Sequence, residues 1–181
     1  MRVGFAVLLL ASLVAQTSSA QQTQHHRHDK TGIEFDAPAG WNYFQTVALL
    51  DGGDQLQWMV PALGVTVYCW TIDEQRDAAT IEERLDSAVE RKVAQRRASN
   101  YRNYRIAPDS VYRTIVNGRE ALVATAEFET GRGAAEHTVI EAVAWIISPN
   151  AGVFLFAPAP ADKAAVLRAQ FDSFVASVRL P

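Results

Sequence analysis

From residue 31 onward the apolar positions recur first with a period of two. In Thr31 to Pro38, Ile33 and Phe35 point one way and Glu34 and Asp36 the other, which predicts a short strand stopped at Pro38-Ala39-Gly40. Trp41 to Leu50 reads as a second strand, residues 51 to 54 as a hairpin turn, Gln55 to Val60 as its return, and Val65 to Ile72 as a continuation of the same sheet. Between Asp77 and Arg97 the period changes. Ile81, Leu85, Ala88, Val89 and Val93 fall on one helical stripe, while Glu82, Glu83, Asp86 and Glu90 fill the other face. Thr80 and Glu83 fit a capping box, with Asp77 as the rival cap, and the basic residues of the last turns suit the negative end of the helix dipole.

Two strands follow, Tyr104 to Val116 and Arg119 to Thr130, joined by Asn117-Gly118, a pair that tolerates the positive φ angles of a tight hairpin. Glu136 to Ile147 is apolar on both faces towards its end, with Val143 and Trp145 on one side and Ala142, Ala144 and Ile146 on the other, as expected of a strand covered on both sides. Val153 to Phe156 repeats that character. Asp162 to Val178 then places Val166, Leu167, Phe171, Phe174, Val175 and Val178 on one helical stripe. The order of strands, helix, strands joined by short turns, and helix predicts an α+β fold, an antiparallel β-sheet flanked by helices.

The start of the chain changes the picture of where this fold works. Arg2, the apolar run Val3 to Ala15 and the small residues Ser18 and Ala20 have the form of a cleavable signal peptide over residues 1–20, which predicts a periplasmic or secreted protein with Gln21 as its first mature residue. That run is too short for a membrane span, and no later stretch is long enough, so no membrane span is expected. Residues 21–30 are polar and without period, and read as a flexible tail before a single domain over 31–181. An apolar fraction of 49% is enough for a full core. The formal charge of −3 becomes one unit more negative once Arg2 is removed, so nucleic acid is not an expected partner. The single cysteine, Cys69, shares a strand face with Val65 and Val67 and is expected to be a buried, inert thiol, leaving stability to packing alone.

Candidate chemistry is sparse. Arg91, Lys92, Arg96, Arg97, Arg102 and Arg105 lie in an acid-free stretch with Tyr101 and Tyr104 interleaved, a possible anion or partner patch; the competing reading is a solvated helix end. His25, His26 and His28 could hold a transition metal, but a polar tail gives them no rigid element, and a solvated tail is expected. His137 is expected to be structural or exposed. Glu127, Glu129 and Glu141 raise the idea of paired carboxylates, and a solvated strand face accounts for them. No nucleophile elbow, zinc-binding helix motif, phosphate loop or cysteine pair is present, so neither a catalytic residue nor a cofactor is expected.

Two segments resemble the PsbP-like superfamily, which includes DcrB-like proteins: Gly32 to Trp41, similar to that family's opening strand with its Pro and Gly-Trp, and Phe171 to Ser177, similar to its closing helix. The resemblance implies an α/β/α sandwich around the antiparallel sheet, in a family whose members mostly bind or chaperone other proteins. It implies no catalytic residue. The function expected is therefore an exported, non-catalytic binding or chaperone-like accessory protein whose partner is another envelope or secreted protein. The alternative is an envelope hydrolase or isomerase with no local sequence signature.

Overall fold

In the computed structural model the described residues are 23–49, 53–72, 81–99, 101–130, 137–149 and 151–181. They form strands β1 (Gln24–Arg27), β2 (Glu34–Ala37), β3 (Asn42–Ala48), β4 (Asp54–Val60) and β5 (Val65–Ile72), helix α1 (Ile81–Ala98), strands β6 (Arg102–Ile106), β7 (Tyr112–Val116), β8 (Arg119–Thr130), β9 (His137–Ile147) and β10 (Gly152–Pro160), and helix α2 (Ala164–Ser177). Eight strands make one antiparallel sheet in the order β3-β4-β5-β10-β9-β8-β6, with β7 also on β8; β1 and β2 pair separately.

The period-two alternation of β8 to β10, with both faces apolar as expected for β9, divides the core. Ala121 and Val123, Ala142, Ala144 and Ile146, and Val153, Leu155 and Ala157 face α2, while Leu122 and Ala124, Val143, Trp145 and Ile147, and Phe154 and Phe156 face α1. A sheet apolar on both faces needs a cover on each, and one helix on either side makes the α/β/α sandwich. α2 packs Leu167, Phe171, Phe174 and Val175 onto one face, where Phe174 meets Phe35, Trp41 and Trp58 at ring separations of 5.7, 5.1 and 4.9 Å. Val166, expected on that stripe, is 54% exposed; it lies one residue off the 167/171/174/175 spacing. Asn117 and Gly118 adopt φ of 46° and 79°, as the hairpin requires, and the Asn117 amide donates to Ala176 O and Val178 O, tying the turn to the end of α2.

Three local expectations are corrected. Residues 24–27 are a strand rather than a flexible tail: backbone pairing to β2 supplies the order that composition does not, and the His26 ring stacks on Tyr43 at 4.4 Å. Tyr104 to Val116 is two strands, because Pro108 opens a 3-10 turn at residues 108–110, where the Ser110 hydroxyl donates to Ala107 O and accepts from Thr125 N. Strand β10 runs on through Pro158 and Pro160, whose missing N–H groups are tolerated because pairing with β5 ends at Phe156 and only β9 continues beside them. The predicted caps Asp77 and Thr80, and the signal segment 1–20, lie outside the described residues. Cys69 is fully buried, and burial pushes its thiol far above the ordinary range.

Candidate functional site

The six basic residues expected to share one patch are divided by helix and strand geometry. Positions 85, 88, 92 and 96 of α1 recur at helical spacing on the face that meets the sheet, so Lys92 and Arg96 follow Leu85 and Ala88 into the core, with only 4% and 7% of their surface exposed. Arg91 and Arg97 on α1, and Arg102 and Arg105 on β6, are exposed. Arg91 donates to Arg84 O, and Arg105 pairs with Glu127 at 2.6 Å. The stretch is therefore not one continuous cationic surface.

What the two buried bases meet is Glu141, fully buried at the α1 face of β9. Arg96 Nη2 donates to its Oε1 at 2.5 Å, the Tyr104 hydroxyl donates to Oε2 at 2.7 Å, and Lys92 Nζ lies 3.9 Å from Oε2, too far for a hydrogen bond. Lys92 Nζ instead sits over the rings of Phe154 and Phe156, at 4.0 and 4.4 Å from their centroids, with Trp70 at 5.7 Å. Arg96 lies over Tyr101 and Phe156. One carboxylate faces two bases, and Lys92 Nζ, Arg96 Nε and Trp70 Nε1 are buried donors without an acceptor. Burial, reinforced by Arg96 and opposed by Glu141, holds the Lys92 amine down to about 7. The solvated-face reading thus holds for Glu127 and Glu129, on the opposite face, and fails for Glu141. The signal that marks Glu141 is its place in the odd-numbered row with Val139, Val143 and Trp145.

The histidines do not converge. His25 bonds Asp36, His26 turns to Tyr43 and Trp58, and His28 is bonded through Nδ1 to Thr31 and lies 3.3 Å through Nε2 from Asp54. Burial lowers the His26 imidazole's affinity for a proton, and hydrogen bonds from Arg179 and then His25 hold the Asp36 carboxyl below its ordinary range. His137 is exposed at the start of β9. Among the described residues no three metal-ligating side chains gather, and no helix is long and apolar enough to cross a membrane.

The described residues line two surface concavities that bear on the site. One of about 470 Å³ lies at the end of α1, between Tyr101, Phe128, His137 and Pro158. The other, about 200 Å³, lies between the start of α2 and the sheet, and is lined by Thr125, Ile140, Ala142, Ala157, Ala164, Ala165, Leu167 and Arg168. It exists because four alanines face one another across the helix–sheet contact and leave room that larger side chains would fill. Its polar groups satisfy each other: Arg168 donates to Thr125 Oγ1 and Tyr112 Oη and pairs with Asp172. Tyr112, 48% exposed, accepts from the lining residue Arg168, and Val166, 54% exposed, lies between the lining residues Ala165 and Leu167 along α2.

No known family profile and no curated protein matches the chain. Solved structures do. The solution structure of cyanobacterial PsbP (CyanoP) from Synechocystis superposes with a TM-score of 0.66 at 14% identity, covering 91% of this chain and 96% of that one. A crystal structure from Bacteroides thetaiotaomicron gives 0.53 at 10% identity, over 88% of this chain and 49% of that one. LpqN, described as involved in cell envelope biogenesis of Mycobacterium tuberculosis, gives 0.50 at 14% identity, over 90% and 92%. The chain has a PsbP-like fold, as its opening and closing segments imply.

Proposed function

We propose that this protein is an exported, non-catalytic binding or chaperone-like accessory protein of the cell envelope, which holds another exported protein by an apolar side chain seated between α2 and the sheet. The observation that carries this reading is the α2 pocket. At about 200 Å³ it is smaller than the sites that enclose cofactors and metabolites, and it suits one or two side chains of a partner. Its lining is alkyl apart from Thr125 and Arg168, which bond to each other, so it offers an anchor and no general acid, base or nucleophile. Tyr112, bonded to Arg168, and Val166, next in sequence to Ala165, add exposed apolar surface near these lining residues. The signal-like leader supports export, and the description of LpqN supports an envelope setting.

The test is closure of the pocket. Ala165 is exposed on α2 at the mouth, so Ala165→Trp fills the opening with little cost to the fold. The expected result is that a photoreactive side chain at position 166 cross-links one envelope protein through an apolar residue, and that Ala165→Trp abolishes the cross-link while melting like the parent. Cross-linking that is unchanged by Ala165→Trp, or that scatters over many proteins, overturns the reading.

A further inference from the structure

The sheet carries a second surface, remote from the α2 pocket and composed quite differently. α1 is seated on β6, β8 and β9; over β3, β4 and β5 the same face carries Gln45 and Met59, which are exposed, and Gln55, Gln57, Tyr68 and Trp70, which are half-buried among the described residues. Apart from Asp54, which turns to the opposite side to meet His28, these three strands bear no charged residue, in a protein where one residue in five is charged. An ionic partner gains nothing here. Nor is the face an apolar core waiting for a second protein, because its centre is a row of amides: Gln45 Nε2 donates to Gln57 Oε1 at 3.0 Å, and Gln57 Nε2 donates to Gln55 Oε1 at 2.8 Å. The row leaves acceptor capacity on Gln45 at one end and donor capacity on Gln55 at the other, and its bonds polarise one another.

Directly across the ladder from Gln57 and Gln55 stand Tyr68 and Trp70, on the same face of β5 and roughly 7 Å apart along the strand. Both are half-buried. Each is braced from the side by the neighbouring strand β10: Tyr68 stacks on its cross-strand partner Phe156 at 4.8 Å, and Trp70 stands edge-on to the same ring at 5.2 Å. The surface is thus two immobilised rings in tandem, each with an amide opposite it, and Met59 at the rim. A pyranose has one C–H face that packs on an aromatic ring and an equatorial rim of hydroxyls that donate to and accept from amides. A chain of them repeats both demands at regular spacing. The geometry points to this face as a binding platform for a neutral, β-linked polysaccharide, with Tyr68 and Trp70 as the stacking residues and the Gln45-Gln57-Gln55 row as the hydroxyl-reading element. Preorganisation by Phe156 and by the amide ladder keeps the ordering cost of binding low.

The probes are chitin and cellulose as insoluble polymers, and chitohexaose and cellohexaose in solution, with the full mature chain. The expected result is retention on at least one polymer that persists at about 0.5 M salt, since screening does not weaken an uncharged contact. Tyr68→Ala should weaken hexaose binding about ten-fold or more. Gln45→Ala, at an exposed position that leaves the core untouched, should weaken it several-fold, so the prediction survives even if Tyr68→Ala unfolds. Ala165→Trp should leave sugar binding unchanged, which separates this platform from the α2 pocket. The proposal is overturned if the folded protein ignores both polymers and both hexaoses, if binding is lost in salt, or if Gln45→Ala and a folded Tyr68→Ala bind as the parent does.

Discussion

The two helices cover opposite faces of one sheet and are held there by different physics. α2 presses Leu167, Phe171, Phe174 and Val175 into a cluster with Phe35, Trp41, Trp58 and the small residues of β9 and β10, and the buried Asp54 on that side of the sheet lies 3.3 Å from His28. α1 begins the same way, with Leu85 and Ala88 on Trp145 and Phe154, and then carries Lys92 and Arg96 into the interior against a single buried carboxylate. Burial of apolar area is indifferent to pH, whereas a buried amine beside one shared acid is not. The α2 seat therefore works as a fixed joint, and the tightness of the α1 seat depends on a proton.

The largest effect expected is on the α2 side. Phe174→Ala removes a ring that touches three other aromatic rings and leaves a cavity among side chains too constrained to collapse, so it should cost about 4 kcal/mol. Urea titration should show that cost unchanged between about pH 7 and 8.5, because the rings Phe174 meets do not titrate and His26, which borders Phe35 and Trp58, is lowered below its ordinary range by burial. A loss below about 1 kcal/mol would mean that α2 is not held by this cluster.

The α1 side should give a smaller effect that depends on pH. Lys92 is held down to about 7 in the folded protein against 10.5 for the unconstrained side chain, so between those values the unfolded chain binds more protons than the folded one. Stability must then rise with pH above about 7 and be flat in this respect below it, with a slope approaching about 1.4 kcal/mol per pH unit for one proton. The groups facing the amine are Glu141 from β9 and Arg96 from α1, with Tyr104 of β6 bonded to the same carboxylate. The clean window is about pH 7 to 8.5. Below it His26 contributes, and above it the raised thiol of Cys69 and phenol of Tyr104 reverse the sign, since those groups ionise more readily in the unfolded chain. Lys92→Met should abolish the slope in that window and make the protein more stable at its acid end. A slope that persists in Lys92→Met would place the titrating group elsewhere.

That asymmetry also sets how much could be read from the sequence. Periodicity gave the β8 to β10 faces, the α2 stripe apart from Val166, and the hairpin at Asn117, because in those segments the local pattern and the tertiary environment agree. Lys92, Arg96 and Glu141 escape a sequence reading for one reason: a charge in a periodic row ordinarily marks the solvent side, and here Glu141 and Arg96 pair on the buried side while Lys92 rests over aromatic rings. Their positions obeyed the spacing even though their chemistry did not, since 85, 88, 92 and 96 share a helix face and 139, 141, 143 and 145 share a strand face. The tail strand β1 was invisible for a different reason. Its order comes from backbone pairing to β2 and a ring contact with Tyr43, neither of which leaves a mark in composition.

The smallest effect distinguishes two neighbouring arginines that the sequence alone treats alike. Arg97 follows Arg96 directly, yet a rotation of about 100° per residue takes it from the Glu141 side of α1 to solvent. Its remaining contribution is that of a positive charge in the last turn of a helix, which complements the carbonyl end of the dipole. Arg97→Glu should therefore cost no more than about 1 kcal/mol in urea titrations at low salt, and the cost should shrink towards zero at about 0.5 M salt as screening removes it. Arg96→Glu is the opposing case: it sets two carboxylates against each other in a buried site and should unfold α1's seat at any salt, since a dry interior is poorly screened. If Arg97→Glu proved as damaging as Arg96→Glu, and equally deaf to salt, both side chains would have to be buried, and the contrast drawn between the two helix seats would lose its basis.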